Sequence, residues 1–310
     1  MRFGFIGGTP RGLSLFQVLI AHKYKPEFCV ILREDDHEHV KVSAAFLDFA
    51  ATNQVPASTK KKLTDSDYSL ISSLNLDFII VCGWRTLIDP TINTSLKAGM
   101  IAAHDSLLPR YRGFAPLNWA LINGDKEVGV TLFIINEGEA DSGDIVMQEK
   151  VAVANGDTIN DVRERIIDAT NQCYLSLLKN YAATSAIETT GQDERSATYT
   201  CKRTPEDGRI DWHASSETIH NLVRALIYPY PGAFFFHNHR KFEVRSATLG
   251  SQNERHFAGR IPGRVISTSA MGVEVLCGSG SLLIKEVYDE DSQSVVLANQ
   301  LFRSITLRLE

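Results

Sequence analysis

The chain has 310 residues, 44% of them apolar and 22% charged, with a formal net charge of −5. That is enough chain for two domains, and the balance is that of an ordinary globular protein rather than a disordered or fibrous one. A negative net charge supplies no general attraction for nucleic-acid phosphates. No apolar run reaches the roughly 18 residues needed to span a bilayer. The opening, MRFGFIGGTPRG, reads as a strand and a glycine turn rather than a leader, so a cytoplasmic protein with no membrane partner is expected.

In the first half, β-rich runs alternate with amphipathic segments: RFGFIG, a helix from about Leu13 to His22, EFCVILR, then a helix near Val42 to Ala51. Such alternation predicts a parallel sheet. LDFIIVCGW, residues 76–84, is a continuous apolar run of the kind buried on both faces. A helix is expected from Asp89 to Leu96, and residues 100–103 form a short strand ending at His104. Ligands of open α/β sheets sit beyond the carboxyl ends of the strands, which places His104 and the loop after Trp84 favourably. Farther on, VTLFII and DIVMQEK read as strands, and Ile159, Val162, Ile166, Ile167, Cys173, Tyr174, Leu177 and Leu178 fall on one helical face.

The following AATSAIETTGQDERSATYT is small and polar, without periodicity, and reads as connecting chain. We therefore expect an α/β domain over 1–185, a linker over 186–200 and a second domain over 201–310. The second domain begins with a helix near Glu217 to Ile227 and continues as short strands, which suggests a small barrel or sandwich. The five cysteines, Cys29, Cys82, Cys173, Cys201 and Cys277, are odd in number and form no CxxC pair, so reduced and buried thiols are expected.

Three local patterns invite chemistry and are better explained structurally. Gly7-Gly8-Thr9-Pro10-Arg11-Gly12 follows a strand and opens a helix, but Thr9 occupies the second glycine position of GxGxxG, which favours a plain βα turn over a nicotinamide site. Glu137, Glu139, Asp141 and Asp144 lack the ligand alternation of a calcium loop, and no metal is expected. His237-Asn238-His239, between FFF and RKFEV, reads as a hairpin turn. The acidic run from Arg33 to His39 reads as a solvated loop.

His104 and Asp141 stand out. His104 ends a strand and leads into DSLLPRYRG, an irregular path; Asp141 lies in the glycine-bearing loop EGEADSGD between two strands. A histidine and a carboxylate so placed suit proton transfer. Together, His104 with SLLPRYRG, APLNWALINGD, GVTLF and DSGD resemble the 10-formyltetrahydrofolate-dependent formyltransferases. CKRTPEDGRIDWHASSETIHNLVRAL and PYPGAFFFHNHRKFEV resemble the carboxyl-terminal domain of the same family, so the likeness spans nearly the whole chain. It is greatest toward the nucleotide amino-sugar N-formyltransferases, such as the domain acting on UDP-4-amino-4-deoxy-L-arabinose.

The resemblance implies a Rossmann-like parallel-sheet domain followed by a small OB-like β-barrel. It implies transfer of a formyl group from 10-formyltetrahydrofolate, the cosubstrate, to an amine. His104 would stabilise the oxyanion or relay the amine proton, and Asp141 would assist it. Family members carry an asparagine two residues before the histidine, where this chain has Ala102, and a glycine after it, where this chain has Asp105. The resemblance places folate near Thr86, Leu87 and Ile88, at the turn of Ser106, Leu107, Leu108 and Pro109, and along Glu137, Gly138, Glu139 and Ala140. It points to a small-molecule acceptor, foremost a nucleotide-linked amino sugar, and is compatible with a homodimer. Methionyl-tRNA formyltransferases carry a basic insertion after the second strand, where this chain has REDDHEHVK, so tRNA is disfavoured. A hydroxyornithine-type amine and a catalytically impaired folate- or sugar-binding relative are the other readings.

Overall fold

A computed structural model describes residues 1–310 except His37, His39 and residues 252–256. The chain divides into two compact units, one of Met1–Pro116, Glu127–Ala152 and Arg163–Thr200, the other of Leu117–Lys126, Val153–Val162 and Cys201–Glu310. In chain order the first part of the sequence forms β1 (Phe3–Gly7), α1 (Thr9–Ala21), β2 (Cys29–Leu32), α2 (Ser43–Thr52), β3 (Ala57–Lys60), α3 (Asp65–Ser73), β4 (Phe78–Cys82), β5 (Met100–His104), β6 (Arg112–Gly113), α4 (Pro116–Ile122), β7 (Glu127–Ile134), β8 (Ile145–Ala152), α5 (Ile159–Thr184) and β9 (Tyr199–Thr200). The segment expected as a helix from Asp89 to Leu96 is a 3₁₀ helix, Pro90–Ser95, capped by Asp89.

The first unit is built on a seven-stranded sheet of order β3-β2-β1-β4-β5-β7-β8. Its strands are parallel from β3 to β5, while β7 and β8 add antiparallel pairs at one edge. FGFIG and FIIVC hold the middle and are buried along their whole length, as strands covered on both faces must be. Phe5 meets Phe16 of α1 and Phe46 of α2 edge to face, with ring centroids 5.3 and 5.9 Å apart, which fixes both helices on the same side. Tyr174 of α5 is buried, and its hydroxyl lies 3.1 Å from the Val81 carbonyl and 3.0 Å from that of Ile101, tying the helix to β4 and β5. Tyr174→Phe removes these contacts and is expected to lower unfolding free energy by about 1 kcal/mol in urea denaturation; an unchanged midpoint would show that the hydroxyl does not hold the helix.

The glycine turn after β1 closes on the protein itself. Gly83, in the left-handed region at φ +72°, lies so close to Gly8 that a Cβ there would run into the Gly8 carbonyl. Gly8 N–H donates to the Cys82 carbonyl at 3.1 Å, and a Cβ on Gly12 would sit 2.6 Å from that same oxygen. These glycines serve the packing of α1 against β4. In the acidic run after β2, of which His37 and His39 lie outside the described residues, Arg33 and Asp36 are exposed as a solvated loop expects, but Glu34 is buried and accepts from Val42 and Ser43 N–H at 2.6 and 2.8 Å, at the amino end of α2. Asp35 pairs with Lys61 and Glu38 with Arg85.

The second unit contains α6 (Ser216–Ala225), β10 (Phe234–His237), β11 (Arg240–Leu249), β12 (Val265–Ser269), β13 (Gly272–Leu276), β14 (Ser281–Asp289), β15 (Ser294–Leu297) and α7 (Ala298–Leu301). Its antiparallel sheet runs β10-β11-β14-β13-β12, with β15 also on β14. Ile219 and Val223 of α6 pack into a core with Trp212, Phe235, Phe242 and Ile284. Asn238 and His239, at φ 50° and 64°, make the two-residue turn between β10 and β11, as the polar turn reading expected. All five cysteines are free; four are buried, but Cys201 is exposed, unlike the uniform burial expected. Among the described residues no helix is long and apolar enough to cross a membrane.

Candidate active site

Strand β5 presents its carboxyl end between β4 and β7, with Ala102 opposite Val81 and Phe133 and His104 opposite Thr131. Residues 102 and 104 are two apart on a strand and so share one face. Ala102 belongs to an apolar cluster with Ile88, Met100, Leu108 and Phe133. His104, 8% exposed, stands at the end of that wall.

The imidazole is held on both sides. Its Nε2 lies 2.8 Å from the Tyr111 carbonyl, and its Nδ1 lies 3.6 Å from Asp141 Oδ2. A carbonyl can only accept, so Nε2 carries a proton, and Nδ1 is the ring nitrogen that faces Asp141. Burial pushes the His104 pKa below its usual value; Asp141 and the Tyr111 bond oppose that fall, and Arg11 adds to it. Burial thus favours the neutral ring, which can take a proton at Nδ1.

Asp141 is in the left-handed region at φ 60°, an uncommon conformation for a residue with a side chain. Its Oδ2 accepts from Gly113 N–H at 2.9 Å. Gly113, at φ +103°, has no room for a Cβ, which would lie 2.8 Å from the Thr200 carbonyl. Glycine at 113 thus lets β6 approach β9 while its amide faces the aspartate.

The turn after His104 is fixed by hydrogen bonds. Ser106 Oγ donates to the Arg110 carbonyl at 2.6 Å, and Thr131 Oγ1 donates to the Ser106 carbonyl at 2.6 Å. Leu108 N–H donates to Thr131 Oγ1 at 3.0 Å, while Gln148 Nε2 donates to the Leu108 carbonyl at 2.8 Å. Leu107 lies over Gly129, and Leu108 enters the cluster of Ala102 and Ile88.

Other folate-site candidates are more open. Leu87 is 90% exposed beside buried Ile88, and the Thr86 hydroxyl donates to the Lys61 carbonyl at 3.4 Å. Glu137, Gly138, Glu139 and Ala140 are exposed, with Glu139 accepting from Tyr199 Oη at 2.7 Å. Leu108 and Ile88 thus share the apolar cluster of Ala102, whereas Thr86 and Leu87 are exposed. Among the described residues no three acidic, cysteine or histidine side chains converge as a metal site would require.

Several neighbours of the pair escaped the sequence reading. Arg11, from the first turn of α1, donates to the Ala103 carbonyl at 3.1 Å and forms an ion pair with Asp105. The departure at position 105 therefore has a partner of opposite charge beside the histidine. Thr131, Gln148, the Tyr111 carbonyl and Gln192 also take part, and none carries a local signal; only the opposite charges of Arg11 and Asp105 hinted at a pairing.

The first unit is an α/β fold with a histidine and an aspartate brought together at the carboxyl edge of its sheet. A family model described as "Formyl transferase" matches residues 20–178, and one described as "Formyl transferase, C-terminal domain" matches residues 202–304. The chain belongs to the formyl transferase family. It is similar in fold to HypX from Aquifex aeolicus in complex with tetrahydrofolic acid, at a TM-score of 0.63 and 18% identity over 97% of this chain and 46% of that one. It thus spans about half the length of the HypX chain it matches. An N-formyltransferase from Helicobacter canadensis, in complex with folinic acid and dTDP-3-aminofucose, has a TM-score of 0.68 and 18% identity over 92% of this chain and 98% of that one. Methionyl-tRNA formyltransferase from Clostridium thermocellum gives 0.53 and 18% identity over 81% of this chain and 94% of that one.

Proposed function

We propose that the protein transfers the formyl group of 10-formyltetrahydrofolate to the amine of a nucleotide-linked amino sugar in the cytoplasm, with His104 and Asp141 as its proton-transfer pair. The observation that carries this reading is the arrangement of His104: Nε2 held by the Tyr111 carbonyl at 2.8 Å and Nδ1 turned to Asp141 Oδ2 at 3.6 Å. With Nε2 engaged, the relay role is favoured over oxyanion stabilisation. The amine nitrogen attacks the formyl carbon, forming a C–N bond and a tetrahedral oxyanion. The attacking nitrogen gives up a proton to the His104–Asp141 pair. The oxyanion then collapses, the bond from carbon to folate N10 breaks, and N10 takes that proton back from the pair, leaving tetrahydrofolate, a formamide and the pair in its starting state.

For the cosubstrate, Ile88 and Leu108 supply an apolar wall, exposed Leu87 is free to cover a ring, and the exposed backbone of Glu137 to Ala140 offers polar groups to its edge. The tetrahydrofolic acid and folinic acid in the HypX and Helicobacter structures support folate, and the dTDP-3-aminofucose of the latter supports the acceptor class. After β2 the chain carries REDDHEHVK in place of a basic insertion, with Lys61 and Arg85 already engaged by Asp35 and Glu38, so this segment supplies no net positive charge for an acceptor stem.

The test is a panel of 10-formyltetrahydrofolate with UDP- and dTDP-linked amino sugars, hydroxyornithine and charged initiator tRNA at moderate salt. Tetrahydrofolate release with a nucleotide amino sugar, well above that with tRNA, is expected. Efficient tRNA formylation would overturn the acceptor, and no folate product with any amine would overturn the activity.

A further inference from the structure

We infer that Gln192 is a positioning residue for Asp141, and that residues 192–200, which read as plain connecting chain, are part of the catalytic apparatus. This rests on the reading of His104 and Asp141 as the proton-transfer pair. Every hydrogen-bonding position of the Gln192 amide is used. Its Oε1 accepts from Arg112 Nε at 3.1 Å and Nη2 at 2.7 Å, and its Nε2 donates to the carbonyls of Asp141 at 2.8 Å and Gly143 at 2.7 Å. Arg112 is a firm anchor: 1% exposed, it also donates to both carboxylate oxygens of Glu194, at 2.8 and 2.7 Å.

The next residue after that arginine, Gly113, donates to Asp141 Oδ2. Asp141 is therefore gripped at its backbone carbonyl by Gln192 and at its carboxylate by Gly113, both fixed to Arg112. Such a grip suits a residue held at positive φ, where a side chain costs about 1–3 kcal/mol unless its surroundings impose the conformation. The same segment reaches the other half of the pair. Thr198 Oγ1 accepts from Tyr111 N–H at 2.8 Å and the Thr198 carbonyl accepts from Arg112 N–H at 2.8 Å, while the Tyr111 carbonyl holds His104. One strap thus sets both imidazole and carboxylate.

The experiment follows the ring of ¹³C-labelled His104 by NMR across pH, in wild type, Asp141→Asn and Gln192→Ala, together with kcat and KM on the best amine of the panel. The charged groups facing His104 are Asp141 and Arg11, the latter paired with Asp105; both remain in Gln192→Ala. When Gln192 no longer holds the loop, Asp141 supports the imidazolium less well. The His104 titration is then expected to move to lower pH, in the direction of Asp141→Asn, and kcat to fall about 10- to 10²-fold with KM for 10-formyltetrahydrofolate little changed. Gln192→Met, of similar length and without the amide, stands in if the alanine variant fails to fold. A wild-type His104 titration in a folded Gln192 variant, with Asp141→Asn shifted, would overturn the positioning role alone. No shift in Asp141→Asn would overturn the pair, and this inference with it.

Discussion

Asp141→Asn is expected to lower kcat for formyl transfer by about 10²- to 10⁴-fold, the range that a positioned acid–base group contributes. Asparagine fills the same space and its amide oxygen can still accept from Gly113 N–H, so the loop should persist while the negative charge disappears. The carboxylate opposes the effect of burial on His104, and removing it lets the histidine's pKa fall further below the ordinary value. In the proposed mechanism the unprotonated ring accepts the amine's proton, so the acid limb of the pH–rate profile should move to lower pH. The direction of that limb separates a lost electrostatic partner from a generally damaged enzyme. A fall in kcat with an unmoved limb would show that Asp141 does not act through His104.

Ala102→Asn is the second informative change. If alanine were an isolated loss in an otherwise ordinary family site, restoring the amide would raise turnover by about 10²-fold, the value of one oxyanion donor. The surroundings indicate otherwise. Ala102 is 7% exposed and packs with Ile88, Met100, Leu108 and Phe133, none of which offers a side-chain partner to an amide. Beside it, Asp105 is committed to Arg11. The expected result is no gain in turnover and a loss of about 1–3 kcal/mol in stability from burying an unsatisfied amide, read from urea denaturation. A hundredfold rise would instead show the ordinary site with one member missing.

What could be foreseen follows from where the physical signal lies. β1 and β4 were visible because strands buried on both faces must be apolar throughout, and α5 because its buried positions recur every three or four residues. β3, ASTK, went unseen because it is a short, largely polar edge strand without alternation. α3 escaped too, although the Thr64–Asp67 capping box marks its start. The antiparallel placing of β7 and β8 beside β5 leaves no trace in their composition.

At the candidate site, His104 and Asp141 stand out in the sequence through strand ends and family likeness. Their supports do not, because Arg112 and Gln192 meet across 80 positions of sequence through hydrogen bonds that impose no periodicity. For the same reason Gln192 lay within a stretch whose small, polar composition suggested only connection. Arg11 and Asp105 meet across a comparable distance from α1 to the end of β5.

The most direct test follows the formyl carbon. Wild type and Asp141→Asn are given 10-formyltetrahydrofolate labelled with ¹³C in the formyl group, together with the nucleotide amino-sugar panel, and the label is followed by NMR. The predicted result is a sugar formamide signal rising in one-to-one step with tetrahydrofolate in wild type, and at least about a hundredfold more slowly in the variant. Label appearing only as formate, no turnover by wild type, or equal rates in the two proteins would contradict formyl transfer at His104 and Asp141.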